Sequence, residues 1–275
     1  MPELPEVETT CRGIQPHLID KTIQQVIVRQ TQLRWPVPEN LHETLQGQRI
    51  QAVFRHAKYI VLAVDSGCVI LHLGMSGNLR IIAADTAAAK HDHIDFVLSD
   101  GNALRLNDPR KFGAVLWTDQ AIDEHPLFHP LFKDLGPEPL SCQFNGRLLY
   151  QKAKNRKLAV KNFIMDSHIV VGVGNIYASE ALFMAGIHPN RQAGKIAAKR
   201  YQTLADAIKT VLQQAIDQGG TTLKDFVNAQ GKPGYFQQSL AVYGRTGQPC
   251  LQCGQPIQQI KIAQRSSFFC KQCQK

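Results

Sequence analysis

Cys250, Cys253, Cys270 and Cys273 form two CxxC pairs with sixteen residues between them. Two such knuckles bring four thiolates to the corners of a tetrahedron, the arrangement zinc takes in structural sites, and leave no open position for a bound water. One structural zinc ion is expected, with no catalytic part for the metal. Cys11, Cys68 and Cys142 are isolated, and an odd total of 7 cysteines argues against a disulfide framework.

A second chemical signal opens the chain, which begins Met-Pro-Glu-Leu-Pro-Glu-Val-Glu. Methionine ahead of proline is normally trimmed, which leaves Pro2 with a free secondary amine. Such an amine can attack the C1′ carbon of a sugar and form an iminium without further proton loss. Proline at position 2 is commonplace, so composition alone does not establish this role.

Four further segments carry polar chemistry. In Val170 to Ala181, Gly172 and Gly174 precede a helix that Asn175 would cap, and free N–H groups at a helix mouth suit a phosphate; a tight, ligand-free turn stays open as the alternative. Asp108-Pro109-Arg110-Lys111-Phe112-Gly113 sets a cation and then an aromatic where a strand begins. Arg110 would meet a phosphate or base edge and Phe112 would wedge into a base stack, or the pair is simply a core phenylalanine beside a surface arginine. The segment from Pro256 to Phe269 looks like a β-hairpin, turning through Ala263 to Ser267, with Arg265 near its tip where bound zinc would aim it at a partner. The glycine-rich, basic stretch from Gly219 to Tyr235 has the composition of a loop that closes over a substrate.

The charge points the same way. A net charge of +9 and a pI near 9.3 imply an anionic partner. The basic residues gather in two acid-free stretches: Arg147, Lys152, Lys154, Arg156, Lys157 and Lys161, then Lys232, Arg245, Lys261, Arg265, Lys271 and Lys275. These fit a surface that tracks phosphates, although solvated faces would read alike. No apolar run approaches the roughly 20 residues of a spanning helix. The acidic, proline-containing start does not resemble a secretory signal, so a cytoplasmic location is expected.

The elements that must position these residues follow from periodicity. Val7, Cys11, Ile14 and Leu18 recur at helical spacing, with Pro5 in the first turn. From Thr22 to Thr118 alternation takes over, as in Ile23, Val26, Val28 and Ile50, Ala52, Phe54, and Asp65-Ser66-Gly67 and Asp100-Gly101-Asn102 read as hairpin turns. A two-layer antiparallel β-sandwich is the expected outcome. The stretch from Ala121 to Pro139 reads as a linker, and helices are expected over Leu148 to Met165, Asn175 to Ala185 and Ala197 to Gln218. The fold class is therefore α+β, with a sandwich domain over 1–130, a helical domain over 131–238 and a zinc hairpin over 239–275.

Together, Pro2-Glu3-Leu4-Pro5-Glu6-Val7-Glu8-Thr9, Ala57-Lys58-Tyr59, His72-Leu73-Gly74-Met75-Ser76-Gly77 and Lys90-His91-Asp92-His93 closely resemble the bacterial formamidopyrimidine-DNA glycosylase family, from the first residue to the last. The resemblance implies a helix-two-turn-helix DNA-binding domain after the sandwich, and an enzyme that flips oxidised purines out of duplex DNA, releases them and cuts the strand by β,δ-elimination. It implies Pro2 as nucleophile, Glu3 as proton handler at the sugar, Lys58 as proton donor near β-elimination and Arg265 for δ-elimination. It further implies Met75, Arg110 and Phe112 as the trio that fills the emptied stack and probes an opposite cytosine. His91, Arg156, Lys161, Asn175 and Arg265 would grip phosphates. A monomer acting at the bacterial nucleoid is expected. Two alternatives are a relative that prefers oxidised pyrimidines, of the endonuclease VIII type, and a non-catalytic zinc-ribbon DNA-binding protein; the second gives no reason for Pro2-Glu3 together with Lys58.

Overall fold

The computed structural model describes residues 2–120, 129–219 and 240–275. The chain divides into two compact units, one built on Met1–Lys133 and the other on Asp134–Gln218 with Gln237–Lys275. Of the expected linker, 121–128 lies outside the described residues, as do residues 220–235 of the glycine-rich loop expected over Gly219 to Tyr235.

The first unit opens with α1 (Leu4–Leu18). Glu3 and Glu6 form a capping box at its start, each carboxylate taking the other's backbone N–H. That satisfies two of the N–H groups a helix mouth leaves unpaired. Val7, Cys11, Ile14 and Leu18 are all buried, as their spacing predicts. Eight strands follow: β1 (Ile23–Val28), then after the short α2 (Leu41–Leu45), β2 (Ile50–His56), β3 (Tyr59–Val64), β4 (Gly67–His72), β5 (Asn78–Ala83), β6 (Asp92–Leu98), β7 (Asn102–Asn107) and β8 (Ala114–Thr118). They make two antiparallel sheets, ordered β1-β6-β7-β5 and β2-β3-β4-β8. Phe96 and Leu104 of one sheet share a core with Leu62 and Val69 of the other and with α1. Both expected hairpin turns are present, joining β3 to β4 and β6 to β7.

Strict alternation fails in β1 and β2, the two strands for which it is expected. Register shifts lie between Ile23 and Gln25 and between Ile50 and Ala52. A bulge adds one residue to one side of the ladder, so the inward face slips by one. Val53 is buried in β2 while the expected Ala52 and Phe54 are only half-buried.

The second unit is helical, with α3 (Gly146–Ala153), α4 (Val160–Met165), α5 (Asn175–Met184) and α6 (Ala198–Asp217), and ends in the hairpin β9 (Gln258–Ile262) and β10 (Arg265–Phe269). The single helix expected over Leu148 to Met165 is two, because the chain breaks at Asn155, whose φ of 61° is left-handed. Asparagine tolerates that region better than most residues. Gly219, at φ 84°, follows α6 as the expected stop. No helix among the described residues is long and apolar enough to cross a membrane.

Candidate functional site

In the first unit, Pro2 and Glu3 are buried at the mouth of α1. The backbone N–H of Glu3 donates to Glu6 Oε2 at 2.8 Å. Two carboxylates here are favoured by the positive end of the helix, which fixes the direction in which the chain leaves α1 toward Pro2. Lys58 occupies the two-residue turn between β2 and β3. Beside it, His72 ends β4 opposite Tyr59. Burial, then the positive Arg34 and Lys58, push the His72 imidazole down to about 4. Its Nδ1 accepts the Gly74 N–H at 3.1 Å. The ring is thus neutral at neutral pH, with its proton on Nε2.

Met75 and Phe112 belong to different loops of this unit and are both exposed, at 39% and 51%, so Phe112 is not a core residue. Gly74 brings the loops together: a Cβ built there would lie 2.3 Å from the Phe112 carbonyl carbon, and φ is +61°. The fastening is Asp108, which is fully buried. Its Oδ1 accepts from Ser76 Oγ at 2.8 Å and from the Arg110 N–H at 3.3 Å, and its Oδ2 accepts from the Gly113 N–H at 2.7 Å. Arg110 is exposed beside Phe112. Met75, Arg110 and Phe112 are thereby gathered, and His91 is tied to the same point, since its carbonyl accepts the Asp108 N–H. The loop before His91 is held by Arg105, which is buried, chelates Asp95 through two nitrogens and donates to the carbonyls of Thr86 and Ala87. Sequence reasoning gave no role to Asp108 or Arg105. The one available signal was a charge among core-facing residues, since ions are buried only when paired.

In the second unit two of the expected DNA-binding residues have partners within the protein. Lys161 is 1% exposed, and its ammonium donates to Ser266 O at 3.0 Å and Ser267 Oγ at 2.8 Å. Asn175 is the first residue of α5 rather than its cap, which is Gly174, and its amide donates to the same Ser266 carbonyl at 3.1 Å. Both side chains, expected on phosphates, brace β10. Arg265 is exposed at the first position of β10, after the tight turn Ala263-Gln264 with φ of 43° and 64°; the expected longer turn to Ser267 is strand. Arg156 is exposed just after the Asn155 break.

The four cysteine sulfurs lie within 4.8 Å of one another. Cys253 and Cys270 are 3.5 Å apart and Cys250 and Cys273 3.9 Å, against about 3.8 Å between sulfurs on a tetrahedral zinc. The residues fit one structural zinc ion. Behind the knuckles, Phe183, Val242, Cys250, Ile257, Phe268 and Cys270 form a small core of their own. Glu180 of α5 fastens it, accepting the N–H groups of Ala241, Val242 and Tyr243. Burial raises the Glu180 carboxyl despite those three bonds.

A helix-mouthed β-sandwich and a helical unit carrying a four-cysteine hairpin define the class of helix-two-turn-helix, zinc-finger proteins. Residues 1–115 match the formamidopyrimidine-DNA glycosylase N-terminal domain, 135–227 its H2TH domain and 247–275 the zinc finger found in FPG and IleRS. The chain is 58% identical over 275 residues to the formamidopyrimidine-DNA glycosylase of Syntrophotalea carbinolica and 55% identical to that of Stutzerimonas stutzeri, covering 100% of each. It superposes on the crystal structure of MutM (Fpg) from Thermus thermophilus with a TM-score of 0.86 at 35% identity, covering 99% of this chain and 98% of that one. Against the complex of a Lactococcus lactis FPG point mutant with Fapy-dG-containing DNA the TM-score is 0.90 at 34% identity, with 100% of both chains covered. The chain belongs to the formamidopyrimidine-DNA glycosylase family, and it is an enzyme.

Proposed function

We propose that this protein removes oxidised purines, 8-oxoguanine and formamidopyrimidines, from duplex DNA and then cleaves the strand as an abasic-site lyase. The carrying observation is the conjunction in the first unit of a buried Pro2-Glu3 pair at a helix mouth with Lys58 on a tight turn. C1′ is shielded inside a base stack, so the lesion must be flipped out first. Met75 and Phe112 fill the vacated stack, and Arg110 offers paired donors to an opposite cytosine. The Pro2 nitrogen attacks C1′ and the base departs with the bond electrons and the proton from the amine; the C1′–O4′ bond then opens, O4′ taking a proton, to leave an iminium. Glu3 handles protons at the sugar, and Lys58 gives a proton near the first elimination, which expels the 3′ phosphate. Arg265 serves the second, which expels the 5′ phosphate.

His91, Arg156, Lys161, Asn175 and Arg265 hold the backbone phosphates, and Lys161 and Asn175 also brace the hairpin. The protein works as a monomer in the bacterial cytoplasm, at the nucleoid, with the domain limits 1–130, 131–238 and 239–275. Zinc, held by Cys250, Cys253, Cys270 and Cys273, stiffens the hairpin. The test is borohydride trapping on an 8-oxoguanine:cytosine duplex, followed by peptide mass. A cross-link on Pro2 is expected; tight binding without a cross-link makes the protein a DNA reader and defeats the proposal.

A further inference from the structure

The turn that presents Lys58 is not a relaxed one. Ala57 precedes Lys58 with φ +54° and is buried, in the left-handed region that side chains other than glycine and asparagine rarely enter. Such a residue persists only where its surroundings hold it. Arg55 supplies a hold: Nη1 donates to the Ala57 carbonyl at 2.9 Å while Nε donates to Glu8 Oε2 at 2.7 Å. Glu8 lies on α1 and also takes Arg12 Nε at 2.7 Å. The Arg55 side chain is 11% exposed, so water competes little for these bonds. One guanidinium thus connects the helix that carries Pro2 and Glu3 to the turn that carries Lys58, a few residues along the chain from itself.

We propose that Arg55, anchored by Glu8, is a positioning residue that sets Lys58 against the mouth of α1 for strand cleavage. This rests on the reading of Lys58 given above. Lysine at 55 can reach one of the two acceptors at a time, and methionine neither, so cleavage falls in the order Arg55, Lys, Met. The test is single-turnover kinetics on an 8-oxoguanine:cytosine duplex, scoring base release and strand scission separately, for Arg55→Met, Arg55→Lys, Glu8→Gln, Lys58→Met and the Arg55→Met/Lys58→Met double variant, with thermal melting alongside. Arg55→Met is expected to slow scission roughly tenfold to a hundredfold, as misplacement by about 1 Å does. The loss should vanish once Lys58 is already methionine. Should Arg55→Met melt early, Arg55→Lys and Glu8→Gln carry the comparison, each with a smaller loss at near-normal melting. Normal scission in those variants beside a crippled Lys58→Met overturns this inference alone, as does an Arg55 effect that persists undiminished without Lys58. Full scission by Lys58→Met removes both this inference and the role of Lys58.

Discussion

The two units hold their exposed working side chains by different means. In the first, Met75, Arg110 and Phe112 stand on loops fastened by one buried carboxylate, Asp108, whose partners are mostly backbone N–H groups a few residues away. In the second, Arg265 rides on a hairpin fastened by four cysteines and by a buried ammonium, Lys161, reached from 105 residues away in sequence. The first arrangement is made by the fold itself once the sheets have closed. The second depends on a metal that must arrive from solution. One unit should therefore fail gradually under mutation, and the other abruptly when the metal leaves.

The comparison can be broken in several ways, the largest first. A structural zinc contributes roughly 10–16 kcal/mol to small metal modules. Chelation, or Cys250→Ser with Cys270→Ser, is thus expected to abolish specific DNA binding while circular dichroism still shows a folded sandwich; full binding by the double variant refutes the division. Next is Lys161→Met, which removes two hydrogen bonds from a charged donor at about 1.5–3 kcal/mol each. A loss of DNA affinity without loss of zinc, measured by anisotropy and metal content, is expected, and an unaffected Kd would show that the hairpin needs no brace.

In the first unit the expected effects are smaller. Unfolded histidine takes a proton below about 6.5, and folded His72 only below about 4. Between those values the unfolded chain binds more protons, so stability present above pH 6.5 is lost as pH falls to 4, by up to roughly 3 kcal/mol at 1.36 kcal/mol per unit. Denaturant titrations of the wild type and His72→Gln should converge with acid, and parallel curves would contradict the assignment. Asp108→Asn keeps the shape but turns one acceptor into a donor facing N–H groups. About 1–3 kcal/mol should be lost, together with discrimination between lesion-bearing and undamaged duplexes. Smallest is Phe112→Ala, where an exposed side chain should shift stability by less than about 0.5 kcal/mol; its effect belongs in lesion affinity, and a large fall in Tm would mean the ring is packed after all.

Much of this organisation was legible because it is local. The inward face of α1, the turns at Asp65-Ser66 and Asp100-Gly101, and the cysteine spacing are each written within a few consecutive residues. The rest depends on partners far apart in sequence. Nothing near Lys161 announces Ser266 and Ser267, so its burial against the hairpin cannot be read from the basic run around it. Ser76 and Asp108 are 32 residues apart, and neither alone signals a clasp. The bulges in β1 and β2 escape notice for a related reason: an extra residue in one strand is defined only against the strand it pairs with.

The near-contact at Gly74 carries a consequence for inheritance. Because any side chain there collides with the backbone at Phe112, the two loops cannot drift independently through descent. A lineage that altered one would have to rebuild the other in the same step, or lose the pairing of Met75 with Phe112 altogether. A residue with no side chain would then be among the slowest positions in the chain to change.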